Sequence, residues 1–173
     1  ATSDINGGIL NPNGIDVNEL QKYVAKTGTV MKFPGTKGIH NDEMLTTKCD
    51  ILVPAALENQ ITETNAPQVK CKLMVEGANG PTTTEADEIL VKSKTFVVPD
   101  VLANSGGVLG SYFEWVQNLH RESCTVDEFN TQLEKKIVKA FHDVYVMAKN
   151  YGVTMRTAAY MIAVKRISGA MSV

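Results

Sequence analysis

A glycine pair at the start of a long apolar helix is the feature of this sequence that most directly suggests chemistry. Residues 97–116, VVPDVLANSGGVLGSYFEWV, join an apolar strand end to that helix through Gly106 and Gly107. Glycine lets a ligand approach the backbone closely, and the N–H groups and dipole of a helix start favour carbonyl, carboxylate or phosphate groups. The segment therefore predicts a binding site at the helix entrance, although ordinary strand-to-helix turns also carry such glycines.

Polar or small residues follow other apolar segments as well. Asp4 ends a β-prone run before a turn, where dinucleotide-binding folds place the acid that accepts hydrogen bonds from the adenosine ribose; a turn or cap Asp is the alternative. Ala55 and Ala56 would admit a flat ring or a sugar, or else only the close packing of a helix. Asn79, in the loop GANGPTT, would hydrogen-bond an amide substituent of a ring, or else serve its own backbone in an Asx-turn.

Three apolar runs must position these residues. CDILVP, KLMVE and TFVVP have the continuous hydrophobicity of strands that are covered on both faces, and helical segments separate them. Strands that alternate with helices form a parallel α/β sheet, and right-handed crossovers bring the carboxyl ends of the strands to one edge. We therefore expect Asp4, Ala55, Ala56, Asn79 and Asn104 to line a single crevice.

Capping residues and helical periodicity predict the helices. Their predicted starts are just after Asp16, at Thr62, after Thr84, near Gly106, after the Thr125/Glu128 capping box, and at Thr154. We expect the last helix to face the core with a stripe of apolar side chains: Ala158, Met161, Ile162, Val164 and Ile167.

Composition limits the function classes. Of the 173 residues, 43% are hydrophobic and 21% charged, and the net charge of −2 with scattered basic residues argues against nucleic acid as a partner. No apolar run approaches the roughly 20 residues of a membrane span, and no signal peptide is recognisable. The three cysteines and three histidines lack metal-ligand spacing. We expect a cytoplasmic protein with reduced thiols and without a metal site.

Five segments together carry a family resemblance: GGILNPNGID, DILVPAALE, VEGANGPTT, PDVLANSGGVLGSYFEWVQN and RTAAYMIAVKRI. They resemble, in order and over essentially the whole chain, the cofactor-binding domain of hexameric glutamate dehydrogenases. The resemblance implies an α/β fold with a Rossmann-like, mostly parallel sheet flanked by helices and long C-terminal helices. It further implies a partial dinucleotide-binding domain over residues 1–119. Residues 120–173 would be a helical segment that packs on this domain and on a substrate domain outside the chain.

The resemblance also implies roles for individual residues toward a nicotinamide cofactor. Asp4 resembles the family's acid for the adenosine ribose. Ala55 and Ala56 resemble the pair that lines the cofactor groove. Asn79 and Asn104 match the asparagines near the nicotinamide and its ribose. NAD is the expected cofactor because a 2′-phosphate would be repelled by Asp4, and NADP is the alternative.

The implied reaction is the oxidative deamination of L-glutamate to 2-oxoglutarate and ammonia by a homo-oligomer, the hexamer of the family. Val108 and Ser111 resemble the residues that contact the methylenes and the distal carboxylate of the substrate. Ser111 favours glutamate over the substrates of leucine or phenylalanine dehydrogenases, because an apolar side chain needs no hydroxyl there.

The chain also departs from the family pattern. It contains no GxGxxG fingerprint and none of the family's catalytic lysine and aspartate, so no catalytic residue is assigned within it. We expect the first βα unit and the substrate domain to lie outside the given sequence. A non-catalytic nucleotide-binding or assembly fragment is the alternative function.

Overall fold

The computed structural model describes residues 1–171 as an α/β fold, which confirms the expected class. The elements are β1 (Thr2–Asp4), β2 (Gly7–Leu10), α1 (Val17–Thr27), β3 (Lys37–Ile39), α2 (Asn41–Thr46), β4 (Ile51–Leu52), a 3-10 turn (Ala66–Gln68), β5 (Leu73–Val75), α3 (Thr84–Lys92), β6 (Phe96–Val98), α4 (Asp100–Ala103), α5 (Gly106–His120), α6 (Val126–Tyr151) and α7 (Met155–Met171). No helix within residues 1–171 has the length and apolarity needed to cross a bilayer.

The predicted parallel sheet is formed by β4, β5 and β6 in that order. Ile51 pairs with Leu73, and Leu73 with Phe96, so the three strands run in register. The central strand is covered on both faces: Met74 belongs to one apolar cluster, and Leu73 and Val75 pack against another. Such two-sided burial explains the continuous hydrophobicity of the strand sequences.

The second apolar cluster joins the two predicted segments of the chain. Val98 and Leu102, from β6 and α4, pack with Val144 of α6 and with Met155 and Ala158 of α7. The helices after residue 120 therefore share a core with the parallel sheet, while a domain boundary near residue 119 stays a prediction.

The strand that ends at Asp4 does not join the parallel sheet, so the expectation of one common strand edge is wrong for Asp4. Instead β1, β2 and β3 form a separate antiparallel sheet. The reason is a tight turn: Asp4 pairs with Gly7, whose φ of 139° suits glycine, and the Asp4 side chain accepts a 2.7 Å hydrogen bond from the backbone N–H of Asn6. The turn sends β2 back along β1.

Some helix predictions hold and others need correction. Asp16 caps α1, and the Thr125/Glu128 capping box of α6 is present. Only a 3-10 turn forms in the segment predicted as a helix from Thr62, because Pro67 has no N–H and disfavours the α conformation before it. Thr83, not Thr84, caps α3.

The predicted core face of α7 is partly wrong. Ala158 is buried, but Val164 and Ile167 are 63% and 61% exposed. The helix carries apolar side chains on more than one face, and only the face toward α6, α4 and β6 is covered. Periodicity alone could not identify that face.

A partly buried ion cluster joins α7 to the sheet. Arg156 Nη2 lies 2.7 Å from Oε1 of Glu76, Nε lies 3.2 Å from Asp87, and Nη1 lies 3.2 Å from Asp100. Burial opposes the charge on Arg156, but hydrogen bonds and attraction from Glu76 and Asp87 outweigh it and raise the pKa of the guanidinium. Glu76 itself is fully buried, so Arg156 is the countercharge that its carboxylate requires.

We expect Arg156→Met to lower the free energy of unfolding by about 3–5 kcal/mol, because it leaves a buried carboxylate without its partner. Urea unfolding followed by circular dichroism measures the loss. Arg166→Met is the matched control: that arginine is 69% exposed and lies 3.6 Å from Asp143, so its loss should cost at most about 1 kcal/mol. Equal stability of the two variants would contradict the assigned role of the cluster.

Candidate functional site

The loops that follow β4 and β5 meet at the carboxyl edge of the parallel sheet. The backbone N–H groups of Gly77 and Ala78 both donate to the carbonyl of Pro54, each at 3.0 Å. A Cβ placed on Gly77 would lie 2.9 Å from the Cβ of Ala55. Small side chains at both positions are therefore required for this close packing, which supports the packing interpretation of Ala55.

The same contact borders an open groove. Ala55, Ala56, Ala78 and Asn79 line it, together with the polar segment 58–60, and its volume is about 810 Å³. The predicted convergence of the two alanines with Asn79 is confirmed at this edge. The alanines thus serve packing on one side and leave room in the groove on the other.

A side-chain hydrogen bond joins the two predicted asparagines. Asn104 Nδ2 donates to Asn79 Oδ1 at 2.6 Å, although the residues are 25 positions apart in sequence. Asn104 is the C-cap that follows α4, and its backbone N–H donates to the carbonyl of Asp100. This contact confirms that the loop after β5 and the segment after β6 converge, and it joins the Asn79 side chain to another side chain and not to its own backbone.

The ion cluster holds this loop in place. Glu76 Oε2 accepts a 2.9 Å hydrogen bond from the backbone N–H of Asp100, and Asp100 Oδ2 accepts one of 2.8 Å from the N–H of Gly80. Gly80 has a φ of 54°, which the loop tolerates because the residue is glycine. The residues on both sides of Asn79 are therefore tied to the start of α4, and Asn104 caps the end of that helix.

Glu76, Asp100 and Arg156 are not among the site residues predicted from the sequence. Two signals were present. Glu76 and Asp100 each come at the end of an apolar strand segment, at the same edge as the predicted site residues. Arg156 stands in the first turn of α7, where the helix dipole disfavours a cation, and such a residue needs acidic partners.

Asp4 lies outside the groove that contains Asn79. Its Oδ2 accepts hydrogen bonds from Thr29 Oγ1 at 2.7 Å and from the N–H of Val30 at 2.8 Å. These bonds, from Thr29 first, lower the pKa of the Asp4 carboxyl, so it is ionised at neutral pH. The prediction of a single crevice is therefore wrong for Asp4, since its strand belongs to the antiparallel sheet.

A second groove connects the two sheets. It has a volume of about 400 Å³ and lies between the first residues of the chain and β4. Thr2 and Ser3 of β1 form one wall, and Ala55 and Ala56 contribute to the other. The two alanines thus border both grooves, one toward Asn79 and one toward the strand that ends in Asp4.

The N-terminus of α5 has fewer free N–H groups than the sequence led us to expect. The short helix α4 directly precedes α5, and the N–H groups of Ser105 and Gly107 donate to Leu102 and Asn104, each at 3.4 Å. A Cβ on Gly106 would lie 3.3 Å from Ile137 of α6, whereas one on Gly107 would meet nothing within 4 Å. Gly106 therefore serves helix packing, and only Gly107 borders open space.

Val108 and Ser111 lie on the surface of α5. Val108 is 72% exposed and borders a groove of about 750 Å³ between α5 and α6. Ser111 is exposed, and its Oγ donates to the carbonyl of Gly107 at 3.2 Å. Neither residue lines the groove beside Asn79, so their roles toward a substrate stay predictions.

The part of the chain that the structure describes contains no group of three or more His, Cys, Asp or Glu residues arranged to hold a metal ion. The three carboxylates that do converge, those of Glu76, Asp87 and Asp100, surround the Arg156 guanidinium.

Sequence comparison identifies curated relatives over nearly the whole chain. It is 52% identical over 168 residues to a glutamate dehydrogenase of Thermotoga maritima, covering 97% of this chain and 40% of the relative. It is 48% identical to a catabolic NAD-specific glutamate dehydrogenase of Bacillus subtilis, covering 97% and 39%. It is 45% identical to an NADP-specific glutamate dehydrogenase of Saccharolobus shibatae, covering 98% and 40%. The chain thus spans about 40% of the length of these relatives.

Structure comparison gives the same result. A hetero-hexameric glutamate dehydrogenase from Thermus thermophilus, in a leucine-bound form, matches with a TM-score of 0.87 and 30% identity, over 95% of this chain and 38% of that one. A glutamate dehydrogenase from Peptoniphilus asaccharolyticus matches with a TM-score of 0.77 and 41% identity, over 94% and 36%. The family model for glutamate/leucine/phenylalanine/valine dehydrogenases matches residues 1–173. The chain therefore belongs to the glutamate/leucine/phenylalanine/valine dehydrogenase family.

Proposed function

We propose that this chain is the nicotinamide-cofactor-binding part of an enzyme that oxidatively deaminates L-glutamate to 2-oxoglutarate and ammonia. The observation that carries the proposal is the Asn79–Asn104 hydrogen bond at the carboxyl edge of the parallel sheet. In open α/β sheets this edge is where ligands bind. The relatives named above are glutamate dehydrogenases, which supports glutamate as the substrate.

The asparagine pair suits a carboxamide. Its hydrogen bond uses the carbonyl oxygen of Asn79 and the amide nitrogen of Asn104. The pair therefore retains the amide nitrogen of Asn79 as a donor and the carbonyl oxygen of Asn104 as an acceptor. A nicotinamide carboxamide carries one acceptor and one donor group, so it complements this arrangement.

The other residues admit and orient the ligands. The small side chains of Ala55 and Ala56 leave space beside Asn79 for a flat ring or a ribose. Ser111 would donate a hydrogen bond to the distal carboxylate of glutamate, and Val108 would pack on its methylenes. When bound, the nicotinamide accepts the hydride from the substrate. Holding the reacting carbons in contact contributes about 7–11 kcal/mol of barrier lowering.

We propose NAD as the preferred cofactor, because Asp4 is an anion. A ribose 2′-phosphate about 4 Å from this carboxylate would meet a repulsion of roughly 4 kcal/mol per charge at an effective dielectric of about 20. The curated relatives include both an NAD-specific and an NADP-specific enzyme, so the family alone does not decide between the cofactors.

We further propose that the whole protein is a homo-hexamer that works in the cytoplasm. The Thermus thermophilus neighbour, a hetero-hexamer, supports the number of subunits.

Two other functions compete with the proposal. A leucine- or phenylalanine-type dehydrogenase would share this fold, and a non-catalytic nucleotide-binding fragment would bind the cofactor without turnover.

NADH titration of the 173-residue chain tests the cofactor site. We expect binding, followed by NADH fluorescence, and we expect Asn104→Ala to weaken it about fivefold, because one hydrogen bond contributes about 1 kcal/mol. Asn130→Ala is the matched control, since Asn130 is exposed on α6. Absence of binding by a folded chain, or equal affinity of the two variants, would contradict the site.

Asp4→Asn tests cofactor preference, because it removes the charge and preserves the size of the side chain. We expect the affinity for NADPH relative to NADH to rise by about tenfold or more, as the repulsion of the 2′-phosphate is lost. Parallel fluorescence titrations with both cofactors measure the ratio. Asp42→Asn, at an exposed position of α2, should leave the ratio unchanged. An unchanged ratio in the Asp4 variant would exclude the carboxylate as the discriminating group.

Ser111→Ala tests the substrate class in the full-length protein. We expect its kcat/KM for glutamate to fall about tenfold, because the distal carboxylate loses a donor, while its kcat/KM for leucine stays unchanged. Steady-state assays with both amino acids give the comparison, and Ser123→Ala, in the exposed loop after α5, is the control. A wild-type enzyme that prefers leucine would overturn the assignment to glutamate.

A further inference from the structure

Two cysteines lie side by side at the amino edge of the parallel sheet, opposite the candidate cofactor groove. Cys49 and Cys71 each stand two residues before β4 and β5, whose register pairs Ile51 with Leu73. The N–H of Cys49 donates to the carbonyl of Lys70 at 3.1 Å, so the two segments remain hydrogen-bonded beyond the strands. Neighbouring strands are about 4.8 Å apart, and this brings the two cysteine backbones within reach of each other.

The thiols also share one environment. Both are half-buried free cysteines, and both pack against the apolar cluster that includes Leu52 and Met74. Burial, and next the proximity of Cys49, raise the pKa of the Cys71 thiol to about 11. The pKa of Cys49 is raised too, by burial and by the charge of Asp50. The raised pKa values keep both groups mainly as thiols at neutral pH, so the thiolate that attacks a peroxide is a minor species.

We propose that Cys49 and Cys71 are a modification site that closes to a reversible disulfide when the protein meets a peroxide. A disulfide needs α-carbons about 4.4–6.8 Å apart, which adjacent positions on hydrogen-bonded parallel strands satisfy. In a reducing compartment such bonds are transient and redox-responsive, not structural. This inference is independent of the proposed dehydrogenase function.

The chemistry is a two-electron oxidation with hydrogen peroxide as the oxidant. The Cys49 thiolate attacks one peroxide oxygen, the O–O bond breaks, and a sulfenic acid forms with release of hydroxide, which takes up a proton to give water. The Cys71 sulfur then attacks the sulfenic sulfur; the S–S bond forms, the S–O bond breaks and a second water leaves. Two thiols are oxidised, and one peroxide is reduced to two waters.

The bond would join the starts of β4 and β5 and close the loop of residues 50–70, which contains the 3-10 turn. Closing a loop of this kind restricts the unfolded chain. The oxidised protein should therefore unfold at a higher temperature than the reduced one. Because the cysteines are at the opposite edge from Asn79, the fold around the candidate groove should remain intact.

The test is oxidation of the full chain with hydrogen peroxide, followed by thiol counting in denaturant and peptide mapping without reduction. The chain has three cysteines, and we expect two thiols to be lost, a linked peptide containing Cys49 and Cys71, and recovery of both thiols with dithiothreitol. Cys124→Ser should form the same linked peptide, since the third cysteine is near Gln117 of α5 and away from the pair. Cys49→Ser and Cys71→Ser should form none.

Three results would overturn the proposal. One is retention of all three thiols under peroxide levels that oxidise free cysteine. Another is loss of thiols to sulfinic acid without a linked peptide. The third is a linkage that involves Cys124, within one chain or between two.

Discussion

A buried side-chain carboxylate requires a countercharge, and this requirement positions the residues at the C-terminal ends of the parallel strands. Glu76 is the only charged residue fully buried within residues 1–171, and Arg156 meets it from a helix that begins 79 positions later in the chain. Removing both charges from water is costly, so this geometry persists only because every partner is present. Asp87 and Asp100 complete the arrangement and bring α3 and α4 to the same point.

The candidate site depends on this cluster without containing it. Asp100 accepts from the backbone of Gly80 and begins α4, the helix that Asn104 caps, so the charge pairing sets the separation between the two asparagines. On the other side, the near contact of Gly77 with Ala55 brings the loop after β4 against the loop after β5. Electrostatics and small side chains thus act together to form one groove from the loops after β4 and β5, with Asn104 hydrogen-bonded to Asn79 beside it.

Local signals predicted the elements well where the chemistry is local. Caps at Asp16 and Thr125 set helix starts because the side chain bonds to the N–H groups beside it. Continuous apolar runs marked all three parallel strands. The failures have two causes. The tight turn from Asp4 to Gly7, a local feature, placed Asp4 in a second sheet. Tertiary packing, which is nonlocal, decided which apolar face of α7 is covered and left Val164 exposed.

By itself, the sequence determined the α/β class, the family and the identity of the strand-end residues, because periodicity, capping and long motifs are written in consecutive positions. Only the tertiary structure decided that Asn104 bonds to Asn79, that Asp4 turns toward Thr29, and that Arg156 neutralises Glu76. These contacts join residues about 25 to 80 positions apart, and their geometry follows from strand register and helix packing, which no local pattern specifies.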